Sequence, residues 1–248
     1  MRSRSLTALA AALFLTAPLH AQSVDADPAL SWDDFPGQAG RPHAPWIFRC
    51  TLEQRPRMLI LALAPECWVA YDAQGCRFDT AWSGGMEFNG SVYTGAHGPN
   101  PSVKGDVTLA GPTAAFATTV KGVTTDVTPA WKGYRIEDGH AVLMSEVALG
   151  GSTVQISERP EVVRDKDGVW FERTFEVNDL KPATPLSVRV PLVRPDGAVL
   201  TVHVNGAPLV ATSDETESLV PIAATGTTVI RSVVADSPAA PAVKGGAK

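Results

Sequence analysis

Residues 141–158 read AVLMSEVALGGSTVQISE, and this stretch decides the fold class. Two apolar runs flank Gly150-Gly151, a pair suited to the positive φ angles of a two-residue hairpin turn. In the second run Val154 and Ile156 alternate inward while Thr153 and Gln155 alternate outward, the period of a half-buried strand. The same grammar extends both ways along the chain. RDKDG (164–168) turns into VWFERTFEV (169–177), where Val169, Phe171, Phe175 and Val177 share a face. Arg173 interrupts that face and must reach water or a carboxylate. Asn205-Gly206 joins VLTVHV to APLVAT as another hairpin, and TTVIRSVV (227–234) supplies a last strand.

Toward the N-terminus, MLILALA (58–64) is apolar at consecutive positions, as in a strand buried on both faces. WVAYD (68–72) and RFDTAW (77–82) are separated by a tight DAQG turn, which would set Tyr71 opposite Cys76 and Cys67 opposite Thr80. MEF (86–88) and SVYT (91–94) flank Asn89-Gly90, the signature of a type I′ hairpin. Residues 98–113 read as a loop; AAFATTV and WKGYRI resume the strands. About a dozen strands with turns every 8–12 residues, and almost no helical period, give an all-β fold. We expect one large antiparallel β-sandwich over residues 46–234.

The ends differ from this body. Arg2 and Arg4 precede the run LTALAAALFLTAPL, which ends at His20-Ala21. A basic head, a short apolar core and a small residue at the cut make residues 1–21 a secretory signal peptide. The run is shorter than the roughly 20 apolar residues that cross a membrane, so no membrane association is expected after cleavage. The expected location is periplasmic or secreted. Residues 22–45 carry many prolines and acids and read as an extended arm. Residues 235–248 are rich in Pro, Ala and Gly and read as a disordered tail.

Charge narrows the partners. Removing Arg2 and Arg4 leaves 19 basic against 26 acidic residues, a net of −7. A mildly acidic chain argues against the basic face that nucleic acid requires, so no nucleic-acid partner is expected. Cys50, Cys67 and Cys76 in an exported chain predict one disulfide and one free thiol. The drawn turn places Cys67 away from Cys76 and so favours a bridge from Cys50 to one of the other two. Without a CxxC or a Cys/His cluster, no metal site is expected.

Local catalytic signatures are missing: no GxSxG, no HExxH, no phosphate loop and no dinucleotide fingerprint. That favours a binding role without a cofactor, and leaves any catalytic set unassigned. At PWIFRCTLEQRPRMLILAL, WVAYDAQGCRFDTAWSGG, VYTGAHGP and WKGYRI the chain resembles a β-rich module of exported bacterial proteins. That module occurs in polypeptides that also carry c-type cytochrome or quinoprotein sugar-dehydrogenase-like domains. The resemblance is concentrated in residues 45–136, and by analogy the fold would be a mutarotase-like supersandwich. It implies an accessory module working beside a cytochrome or dehydrogenase partner. The chain itself has no CxxCH, so it cannot hold a c-type haem.

The candidate contact surface lies in WSGGMEFNGSVYTGAHGPNP (82–101). Trp82, Glu87, Tyr93 and His97 fall among glycines there, and exposed Trp and Tyr stack well on sugar rings. Trp82 and Tyr93 are the aromatics expected to be exposed; Trp46, Trp68, Trp131 and Tyr134 fall largely in strands. His97 with Glu87 or Asp79 would be the acid–base set of an epimerase or lyase. An Arg partner from Arg55, Arg57 or Arg77 is the plainer role for Asp79. The leading expectation is a carbohydrate-binding module, with a sugar-active enzyme and an interaction subunit as alternatives.

Overall fold

The structure, a computed structural model, describes residues 45–64, 66–88, 90–94, 96, 98–181, 185–210 and 215–236. The segment expected to be a signal peptide (1–21), nearly all of residues 22–45 and most of residues 235–248 lie outside the described residues. So do His97 and Asn89.

The described residues form sixteen strands. β1 (Trp46–Leu52), β2 (Arg55–Ala64), β3 (Cys67–Asp72), β4 (Arg77–Glu87) and β5 (Ser102–Ala110) make a five-stranded meander in sequence order. β6 (Phe116–Val120), β7 (Val123–Val127), β12 (Ser187–Pro191) and β15 (Glu217–Pro221) make a four-stranded sheet of order β15-β12-β6-β7. The third sheet has seven strands, with order β14-β13-β16-β11-β10-β9-β8. Its members are β8 (Pro129–Glu137), β9 (His140–Leu149), β10 (Ser152–Asp165), β11 (Gly168–Asn178), β13 (Val202–Val204), β14 (Ala207–Pro208) and β16 (Thr227–Asp236). Every pairing is antiparallel, and the fold is an all-β sandwich.

Two of the expected turns form as read. Gly150 and Gly151 have φ of 60° and 76° and close β9 on β10; Asn205 and Gly206, at 50° and 83°, close β13 on β14. Asp165 caps its own turn, accepting from the amides of Asp167 and Gly168 and from the Trp170 indole.

The main core lies where the three sheets meet. Leu59, Leu61, Val69 and Tyr71 come from the five-stranded sheet, Phe116 and Val188 from the four-stranded one, and Leu143, Ile156, Phe171 and Phe175 from the seven-stranded one. β2 is buried on both faces, as its continuous apolar run requires. Leu59 and Leu61 face this main core, while Met58, Ile60 and Ala62 face a second one on the other side of the same sheet.

Three details of register correct the sequence reading. The β3–β4 connection is longer than drawn: Asp72 pairs with Arg77, Tyr71 with Phe78 and Cys67 with Ser83, with an irregularity beside Tyr71. The expected pairing of residues 86–88 with 91–94 does not form, since 91–94 hold no strand. Instead β4 runs unbroken to Glu87 and pairs with β5, so residues expected in a loop become a strand. β5 was hidden because it is an edge strand, SVKGDVTLA, with little buried surface to impose an apolar pattern.

No disulfide forms: Cys50, Cys67 and Cys76 are all free thiols. Cys50 pairs across to Met58, which pairs to Asp72, which pairs to Arg77 beside Cys76. Three strand spacings of about 4.8 Å separate those two cysteines. Cys67 lies five residues along β3 from that row, about 16 Å away. A disulfide tolerates at most about 7 Å between Cα atoms.

Candidate functional site

The stretch 82–101 owes its shape to two facing glycines. Gly84 on β4 sits opposite Gly105 on β5, with φ of 116° and 129°. A Cβ on Gly84 would lie 2.4 Å from the Lys104 carbonyl oxygen, and one on Gly105 would lie 2.0 Å from that of Ser83. No side chain fits, and the left-handed backbone bends the hairpin. Past the bend, Met86, Phe88, Val92 and Val103 pack onto Cys50, Leu52, Met58, Ile60, Trp68 and Trp82. Backbone bonds then fasten the segment to the β1–β2 turn: the Thr51 amide donates to Val92 O at 2.7 Å, and the Glu53 amide to Pro101 O at 2.9 Å.

This architecture reverses the expectation for Trp82. It is 2% exposed, at the floor of the second core. Its indole N–H donates to Gly85 O at 2.7 Å, and that of Trp68 to Gly84 O at 2.9 Å. The glycines beside Trp82 bring a backbone carbonyl to the polar edge of the indole, which lets the ring be buried with its N–H satisfied. They do not open it to solvent. Tyr93 is 69% exposed as expected; its carbonyl accepts from Thr51 Oγ1 at 3.0 Å. Glu87 is half-buried, 3.5 Å from Ser102 Oγ.

Asp79 and Glu87 lie eight residues apart on β4, on either side of the bend, and share no site. Asp79 is buried and engaged by two guanidinium groups, Arg55 and Arg77, the latter at 3.3 Å. The plainer role for this carboxylate is the one the geometry gives it. His140 and His203 stand apart from one another: His140 bonds Glu161 at the β8–β9 turn, and His203 packs on Trp170 with ring centroids 5.0 Å apart. Among the described residues no group of three or more His, Cys, Asp and Glu is placed to hold a metal.

Beside Tyr93, a second aromatic cluster reaches the surface, and it was not singled out from sequence. Trp46, Phe48 and Phe88 form a triangle with centroid separations of 5.0, 5.6 and 6.4 Å. Trp46 also meets Trp68 edge-on at 5.9 Å, and Trp68 stacks on Trp82 at 6.0 Å. Three rings therefore run from the solvent-facing Trp46, 37% exposed, through Trp68 to the buried Trp82, with Phe48 and Phe88 packed beside the outermost one. Strand alternation put Trp46 among the core aromatics. Its place at the start of an edge strand, with no described strand beyond it, was the signal for exposure.

A second concavity opens between the five- and seven-stranded sheets. It holds about 200 Å³, with Val69, Ala81, Val162, Val169 and Phe171 inside and Glu66, Cys67, Ser83 and Arg164 at the mouth. A bulge in each sheet lies at this level. Thr108 is the extra residue where β4–β5 pairing shifts beside Trp82, and Val234 the extra residue where β11–β16 pairing shifts beside Trp170. Both line the cleft. Arg164 Nη2 approaches Cys67 Sγ at 3.8 Å. Burial raises the Cys67 thiol pKa; Arg164 opposes that shift and Glu66 adds to it. A thiol held protonated is a poor nucleophile.

No protein-family model matches the sequence, and no curated protein matches it either. The fold and these two surfaces define the class: an all-β sandwich with an accessible aromatic face and a small intersheet cleft.

Proposed function

We propose that the chain is a periplasmic or secreted accessory module that binds carbohydrate and is not itself a catalyst. The contact surface in this proposal is the aromatic face headed by Trp46, with Phe48 and Phe88 beside it. The observation that carries it is the row Trp46–Trp68–Trp82, with Phe48 and Phe88 packed beside its outer ring. Sugar rings present apolar C–H faces that stack on indole and phenyl surfaces, and a ring braced by others beneath it loses little freedom on binding. Engagement of Asp79 by arginines and the separation of Asp79 from Glu87 favour binding over acid–base chemistry.

Calorimetric titration of a glycan panel into the mature protein tests the proposal. Saturable heat with at least one glycan, together with a change in Trp fluorescence, is the expected result. Silence across the whole panel in both signals would overturn it.

A further inference from the structure

The intersheet cleft opens between the five- and seven-stranded sheets, with Val69, Ala81 and Phe171 of the main core in its wall and Trp68 and Trp82 also lining it, and its chemistry differs from that of the aromatic face at Trp46. We infer that it is a binding site for a free α-amino acid with an apolar side chain. The side chain would enter between the sheets, with the carboxylate on Arg164 and the ammonium group on Glu66.

Size comes first. A cavity of about 200 Å³ is only slightly larger than the roughly 150 Å³ apolar cavity that accepts benzene. It is smaller than the about 300–1,000 Å³ of sites for drug-sized ligands. A phenyl or branched four-carbon group fits; a sugar ring with its hydroxyls would leave them unpaired against Val69, Ala81, Val169 and Phe171, all buried.

Charge then selects the head group. The lining carries one cation and one anion, Arg164 and Glu66, and both are near enough to act on the Cys67 thiol. Arg164 is exposed, and its hydrogen bond among the described residues is the weak one to Cys67 Sγ. Its guanidinium is therefore available to a carboxylate in the two-point geometry it favours. A simple carboxylic acid would use Arg164 and be repelled by Glu66, whereas a zwitterion uses both. Ser83 adds a hydroxyl at the same rim.

The opening itself is built by the backbone. Bulges beside Trp82 and Trp170 place Thr108 and Val234 on facing sheets at one level. Bulges re-aim side chains and interrupt close sheet contact, and two at one level account for sheets that separate here.

The test is calorimetry on the mature protein with L-phenylalanine, L-leucine, 3-phenylpropionate and phenethylamine. Both amino acids are expected to bind, and each analogue lacking one charge to bind at least tenfold more weakly. Arg164→Gln and Glu66→Gln, both at exposed positions, are each expected to weaken amino-acid binding at least tenfold without changing the melting temperature. Trp46→Ala is expected to leave it unchanged, so this site and the carbohydrate surface can fail independently. No saturable heat with either amino acid at millimolar concentration would overturn the inference. So would 3-phenylpropionate binding as tightly as L-phenylalanine, or wild-type affinity in Arg164→Gln.

Discussion

Glu158 and Arg173 form a two-point ion pair inside the main core, Nε to Oε1 at 2.7 Å and Nη2 to Oε2 at 3.2 Å. Tyr71 reaches across from the five-stranded sheet and donates its hydroxyl to the same Oε1 at 2.5 Å. The rings of Phe78 and Phe175 lie beside the guanidinium, their centroids 5.5 and 4.9 Å from its central carbon. The apolar face interrupted by Arg173 is thereby completed by a carboxylate from the neighbouring strand. Arg173→Met strands a buried carboxylate and is expected to cost about 3–5 kcal/mol. Arg173→Met with Glu158→Leu removes both charges and is expected to cost less than the single change. Tyr71→Phe is expected to cost about 1.5–3 kcal/mol, the range for a hydrogen bond to a charged group. Urea unfolding of the three variants checks the order.

Gly84 and Gly105 are the second point of leverage. Gly84→Ala and Gly105→Ala each force a Cβ against a carbonyl oxygen and a side chain into left-handed backbone. Each is expected to destabilise by at least about 1–3 kcal/mol, the cost of backbone strain alone. Gly85→Ala is the control, since nothing lies within 4 Å of its Cβ position. Thermal melts of the three proteins separate bend from bystander; equal losses would remove the bend from the account.

Cysteine chemistry gives two further expectations. Denatured, unreduced protein is expected to yield three thiols per chain in a colorimetric thiol assay; a yield of one would mean that a bridge forms against the geometry.

Burial pushes the Cys50 thiol up to about 12; the Cys76 thiol is also pushed up to about 12, by burial first and then by Asp72 and Glu158. Tyr71 is raised well above its usual value by burial and by the Glu158 charge. A group whose pKa is raised by folding contributes full stability below its unfolded value and loses it as pH climbs toward the folded one. Stability is therefore expected to fall from about pH 9 toward pH 12, where thiols ionise only in the unfolded chain. Replacing Cys50 and Cys76 together by Ala is expected to flatten that slope, read as melting temperature against pH.

Much of the fold was legible because one face of most strands is buried. Val154, Ile156, Phe171 and Phe175 occupy the core their alternation assigned, and Gly150-Gly151 and Asn205-Gly206 turn where their φ preferences demanded. β5 was not legible, because an edge strand keeps polar residues and glycine without penalty. The site was less legible for a related reason. A glycine beside a tryptophan looks the same in sequence whether it exposes the ring or offers a carbonyl to a buried indole N–H, and at Gly84 and Gly85 the carbonyls decide. The cleft left no local signal, since Cys67, Ser83, Thr108, Arg164 and Val234 come from five different strands.

The claim that the accessible aromatic face is the ligand surface is tested most directly by titrating a responding glycan against wild type, Trp46→Ala and Tyr93→Ala. Binding at least tenfold weaker in Trp46→Ala, with the β-sheet circular dichroism retained at the assay temperature, is the predicted result. Wild-type affinity in Trp46→Ala, with binding lost in Tyr93→Ala, would contradict it and move the surface to the loop.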